Sequence, residues 1–268
     1  MKEPFYHLDY TSGSCLFKLY INEILIVDNL QEQKSLAGNV LLNQFIYNEG
    51  IQIVRFELFP QKGNEILNEN SFIEIYLYVS DQTTGFSNTI DILSRGTKLP
   101  HNLLYNEGKL LNTSTWIIDF EAKVPYSLEK KWNEAKEFNL DQNKIEEIKG
   151  VYTEIYQLAQ EGNAVELYEI LEDSFHRTSI TMYEKERNNV VQVFENLIKK
   201  KPIGDSIYKL EKLEFGNVRI YGNGKVVDVL RPDGKPILLF KKKEEDENGA
   251  TLEVRLYQSK EDSKYKII

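Results

Sequence analysis

Phe72-Ile73-Glu74-Ile75-Tyr76-Leu77-Tyr78-Val79 repeats its apolar residues with a period of two. In an extended chain that period puts Ile75, Leu77 and Val79 on one face and Tyr76 and Tyr78 on the other. A strand with one apolar face needs sister strands, and the flanking sequence supplies them. Residues 15–21 alternate, with Phe17, Leu19 and Ile21 together. Asn22-Glu23 then occupies a tight-turn position, and residues 24–27 return. Residues 51–59 form another strand, stopped by Pro60 and a Gly63-Asn64 loop, and residues 116–122 close the region. Short strands rich in aromatic and β-branched residues, separated by polar loops, predict an antiparallel β-sandwich over residues 1–125.

The periodicity changes at Val124-Pro125. Ser127 is read as the N-cap of a helix carrying Leu128, Trp132 and Ala135. Asp141 caps a second helix, in which Ile145, Ile148, Tyr152, Ile155 and Ala159 recur at steps of three and four. Gly162 ends it, and Asn163 caps a third with Leu167, Ile170 and Leu171 inward. A fourth helix carries Tyr183, Arg187, Val190, Val191, Phe194, Leu197 and Ile198, and finishes at Lys199-Lys200-Lys201-Pro202. Lysines there oppose the negative end of the helix dipole, and proline stops the helix. Turn signals at Gly222-Asn223-Gly224, Pro232-Asp233-Gly234 and Asn248-Gly249 then separate apolar strands near 218–221, 226–230, 237–240 and 252–257, with an edge strand at 265–268. The whole reads as a β domain followed by an α+β domain. Residues 126–268 place helices (127–200) against an antiparallel β-meander (207–268).

Composition limits the function. The chain has 268 residues and a net charge of −9, from 33 lysines and arginines against 42 acids. Residues 1–125 hold 9 basic and 15 acidic side chains, while residues 126–268 are nearly balanced at 24 and 27. A protein built to grip phosphate backbones carries a basic surplus, so nucleic acid is not the expected partner. No apolar run approaches the length of a membrane-spanning helix, and the N-terminus lacks the apolar core of a secretory signal. A single cysteine, Cys15, precludes an intrachain disulfide and suits a reducing compartment, so a cytoplasmic location is expected. Cys15 is read as a buried bystander thiol.

Recognisable motifs for catalysis or metal binding are absent from the sequence. His7, His101 and His176 share no metal-ligand spacing, and no cofactor is expected. Gly222-Asn223-Gly224-Lys225 lacks phosphate-loop spacing and lies between strands. Asp141-x-Asn143 starts like a calcium loop but has Glu146 and Tyr152 where glycine and glutamate are required. Acidic pairs at Glu146/Glu147, Glu172/Asp173 and Glu244/Glu245 read as solvent-facing decoration. The run Lys241-Lys242-Lys243-Glu244-Glu245-Asp246-Glu247 reads as a solvated hairpin tip.

The segments Leu19-Tyr20-Ile21-Asn22-Glu23-Ile24, Leu41-Leu42-Asn43-Gln44-Phe45-Ile46-Tyr47-Asn48-Glu49-Gly50-Ile51-Gln52-Ile53 and Leu58-Phe59-Pro60 resemble a small ligand-binding-type β-sandwich of bacterial proteins. Glu23 departs from that pattern, which has glycine in the turn. The two-part layout also resembles immunity proteins that neutralise toxins of bacterial interference systems. That resemblance implies a non-enzymatic, cytoplasmic inhibitor whose partner is a basic protein toxin, bound by occlusion. An acidic surface accelerates encounter with such a partner. Glu244, Glu245, Asp246 and Glu247 are the candidate partner-binding residues, together with outward loops of the sandwich. Two other readings stand beside this one. The first is a carbohydrate or small-ligand binder that stacks its ligand on tyrosines and Trp116. The second is an enzyme whose site gathers His176, Tyr183 and Asp228 in the C-terminal half.

Overall fold

The computed structural model describes residues 3–30, 36–81, 89–184, 187–201, 207–242 and 249–268. It divides into two compact units, Met1–Glu129 with Thr181–Tyr183, and Lys130–Ile180 with Glu184–Ile268. The fold class is the one the periodicity implies: among the described residues, packed antiparallel sheets, then three helices, then small antiparallel sheets.

The first unit is a sandwich. Strands β1 (Pro4–Gly13), β4 (Leu36–Leu41), β6 (Phe72–Asp81) and β7 (Thr89–Lys98) form one sheet in the order β4-β1-β6-β7. Strands β2 (Leu16–Ile21), β3 (Ile24–Asn29), β5 (Gly50–Phe59) and β10 (Ser114–Ala122) form the other, in the order β10-β5-β2-β3. A two-stranded ribbon, β8 (Tyr105–Asn106) with β9 (Lys109–Leu110), lies in the connection to β10. The inner faces meet through Leu8, Phe17, Leu19, Val54, Phe56, Ile75, Leu77 and Trp116, all buried. Burial of such side chains supplies most of the unit's stability, at about 1.5–3 kcal/mol for each large one.

The β2–β3 turn takes the conformation that Asn22-Glu23 suggests. Both residues have positive φ, 45° and 75°, as a two-residue hairpin turn requires. Asn22 tolerates this because its side chain is tied down. Its amide donates to the Phe45 carbonyl and to Gln52 Oε1, and its Oδ1 accepts from the Ile53 N–H. Glu23 bears the left-handed strain with a Cβ. Glu23→Gly is therefore expected to stabilise the unit by about 0.5–1 kcal/mol. A urea midpoint unchanged or lowered relative to the parent would refute this.

The second unit packs α1 (Gln142–Glu161), α2 (Ala164–Thr181) and α3 (Arg187–Ile198) with short strands. Asp141 caps α1 by accepting the Lys144 N–H at 2.8 Å, and Gly162 closes it at φ 78°. Asn163 caps α2 by accepting the Glu166 N–H at 3.3 Å. Ile148, Tyr152, Ile155 and Ala159 face the core, as do Leu167 and Leu171, but Ile170 is exposed rather than inward. At the end of α3, Lys199 pairs with Glu195 and Lys200 donates to the Gln160 carbonyl, while Pro202 lies outside the described residues.

Two helix expectations are corrected. Residues 127–135 form only one 3-10 turn, Lys131–Glu134, and Ser127 caps no helix. The reason lies in where the backbone donors go. Leu128 N–H donates to the Tyr47 carbonyl, and within the segment Asn133 and Ala135 only close three-residue turns on Lys130 and Trp132; just beyond it, Lys136 N–H donates to Gln258. Tyr183 is not on a helix either. It follows the end of α2 in a turn at φ 55°.

The C-terminal strands divide into two sheets. One is β11 (Lys209–Leu210), β14 (Leu238–Lys241) and β15 (Ala250–Leu252), in the order β11-β14-β15. The other is β12 (Val218–Tyr221), β13 (Val226–Val229), β16 (Leu256–Gln258) and β17 (Tyr265–Ile267), in sequence order. The expected strand over 252–257 is thus broken between β15 and β16, whose pairings lie in different sheets. Tyr152 of α1 ties the break to β13. Its buried hydroxyl donates to the Val254 carbonyl at 2.6 Å and accepts the Val229 N–H at 3.2 Å.

Candidate functional site

The outer face of the β10-β5-β2-β3 sheet presents an apolar field that alternation on β5 dictates. Val54, Phe56 and Leu58 are buried, so residues of the other parity must face outward. Those are Arg55 and Glu57, but also Ile51 and Ile53, while Gln52 is turned inward. The same holds on β10, where Trp116 and Phe120 point in and Ile117, Asp119 and Glu121 point out. Ile51, Ile53 and Ile117 are 64%, 46% and 60% exposed. Register makes them neighbours. Ile117 lies opposite Arg55, Asp119 opposite Ile53, and Glu121 opposite Ile51, so Ile117 and Ile53 are diagonal partners. Clustered exposed isoleucines are unlike the scattered single hydrophobics normal on a surface, and such patches mark interaction sites.

The rim of the field is mostly acidic. Asp119, Glu121, Glu49 and the turn residue Glu23 are exposed around it, and Lys123 follows β10. Arg55 is neutralised within the sheet. It pairs with Glu57 and lies 3.8 Å over the Tyr20 ring, and the Tyr20 hydroxyl donates to Glu57.

The outer face of the other sheet carries the tyrosines expected there. Tyr78 stacks on His7 at 4.7 Å with ring planes 7° apart, and on Tyr76 at 5.0 Å. Arg95 caps Tyr76 at 6.0 Å. These rings cover each other's faces, whereas stacking a sugar requires an open ring face. Asp9 accepts from Asn39, and Ser80 Oγ lies 2.8 Å from His7 Nε2. Burial pushes the His7 pKa below its ordinary 6.5, with Asp9 opposing. The unfolded chain then takes up a proton at His7 more readily than the folded one. Stability of the sandwich is expected to decline as pH falls below about 6.5. His7→Gln removes this contribution, so its melting temperature should vary less between pH 7.5 and 5.5; equal slopes for parent and variant would refute it.

The remaining residues singled out in the sequence fall as follows. Glu244, Glu245, Asp246 and Glu247 lie outside the described residues. Trp116 is not available for ligand stacking, being 5% exposed and packed on Phe56. Cys15 is buried, and burial pushes its thiol up to about 11. Asp228 accepts from Arg219 Nε and Nη2 and from the Tyr221 hydroxyl. Tyr183 packs edge-on against Phe5 and donates to the Pro4 carbonyl, and burial pushes its hydroxyl pKa up. His176 is exposed on α2. Among the described residues, no group of three or more His, Cys, Asp or Glu side chains is placed to hold a metal ion. No described helix is long and apolar enough to cross a membrane. No family model, curated protein or solved structure matches the chain.

The signal for the isoleucine face lies in the parity of the 51–59 strand. Arg55 and Glu57 must face water, and counting back by two from Arg55 reaches Ile53 and Ile51.

Proposed function

We propose that this chain is a non-enzymatic binding protein of the toxin-neutralising kind, and that it occludes its protein partner with the outer face of the sandwich. The acid-rimmed field of Ile51, Ile53 and Ile117 carries this reading. An apolar centre bordered by charge is the anatomy of a protein–protein interface. The acidic excess of residues 1–125 and the two-part layout favour a basic partner, steered in by charge. Protein binding is preferred to carbohydrate binding because Tyr76 and Tyr78 stack face to face and Trp116 is in the core.

The test is co-expression with the products of neighbouring genes. One neighbour is expected to arrest growth alone, to be tolerated with this protein, and to copurify with it. If no neighbour is toxic and none copurifies, the reading fails.

A further inference from the structure

Strand β10 lies at one edge of its sheet, and among the described residues it pairs only with β5. The direction of its backbone groups follows from β5. The Ile53 carbonyl accepts from the Asn22 N–H at 2.9 Å, and the Ile53 N–H donates to Asn22 Oδ1. Both backbone groups of Ile53 therefore point toward β2. By alternation, those of Gln52, Val54 and Phe56 point toward β10 and meet Phe120, Ile118 and Trp116. The N–H and C=O groups of Ile117, Asp119 and Glu121 are left pointing away from β5, along the open edge. These same residues carry their side chains on the acid-rimmed face. One set of residues thus offers a hydrogen-bonding edge unused among the described residues, an apolar contact and two negative charges.

We infer that β10 is a docking edge for an extended strand of a basic partner protein, which lengthens the sheet by antiparallel pairing. This rests on the binding function proposed above and specifies its mode. Cross-strand pairing fixes the chemistry of the incoming strand, since directly opposed side chains share a face. It carries an apolar residue opposite Ile117 and lysine or arginine opposite Asp119 and Glu121. Main-chain hydrogen bonds hold it, and the charge pattern sets register and orientation. A second copy of this chain is a poorer occupant, because the sandwich half has 15 acids against 9 bases and would meet its like.

The probe is a synthetic peptide, Lys-Val-Arg-Val-Ile-Val-Thr, blocked at both ends, titrated into the full-length protein. Binding should slow hydrogen exchange at the amides of Ile117, Asp119 and Glu121. Glutamates in place of its lysine and arginine should weaken binding about tenfold or more. N-methylating its amides that face β10 should abolish binding. In the protein, Asp119→Pro removes an outward N–H without touching a bond to β5, and should also abolish it. Thermal melting of that variant establishes that it is folded. No binding at millimolar peptide, or binding that survives both N-methylation and Asp119→Pro, overturns the edge mode. Concentration-dependent dimerisation that protects the β10 amides overturns it as well. Copurification of a neighbouring toxin that persists in Asp119→Pro would leave the proposed function standing while removing this mode. Loss of copurification with every neighbour, despite peptide binding, would do the reverse.

Discussion

Asp228→Ala is expected to lower the stability of the C-terminal unit by about 3–5 kcal/mol. The carboxylate is buried and accepts from both Arg219 nitrogens and from the buried Tyr221 hydroxyl. It lies on β13, between β12 and β16, and Tyr152 bonds the adjacent Val229. Deleting it withdraws the negative charge around which this polar cluster is built. The cost arises mainly from the cationic and hydroxyl groups that lose their acceptor, so removing both members of the ion pair should cost much less. Asp228→Leu with Arg219→Met is expected to recover most of the loss. The two tryptophans, Trp116 and Trp132, fall one in each unit. With Trp116→Phe as background, Trp132 fluorescence reports unfolding of the C-terminal unit in urea. A loss below about 1 kcal/mol for Asp228→Ala, or no recovery in the double variant, would contradict this account.

Ile53→Asp with Ile117→Asp is expected to abolish partner capture and leave folding intact. Both side chains are exposed, so Ile117→Asp should change stability by about 0.5 kcal/mol or less, while Ile53→Asp, set directly opposite Asp119, should cost about 1 kcal/mol. At an interface, central apolar anchors contribute about 2 kcal/mol or more, roughly 30-fold in affinity each. Affinity for the neutralised toxin should fall by about a thousandfold, read by calorimetry or by restored toxicity in the co-expression strain. Unchanged affinity with a normal melting curve would move the interface elsewhere on the molecule.

Much of the architecture was legible because it depends on local periodicity. Alternation in residues 72–79 and 15–21 identified strands and their inner faces, and Asn22-Glu23 and Gly162-Asn163 placed a turn and a helix junction correctly. Central strand β1 carries the same signal, with Tyr6, Leu8 and Tyr10 alternating with His7 and Asp9. The misplaced helix at 127–135 has the apolar spacing of a helix, but its Leu128 N–H finds its partner on Tyr47, far along the chain. No local pattern encodes such a partner. The same is true of the break between β15 and β16, where one apolar run serves two sheets.

The sequence by itself determined the order of the parts, their inner faces and the acidic character of the first half, because these follow from period and composition alone. Tertiary structure decided which strands stand at an edge, and that Ile51, Ile53 and Ile117 meet on one open face beside Asp119 and Glu121. Cross-strand register joins residues more than 60 positions apart, and only pairing in space sets it.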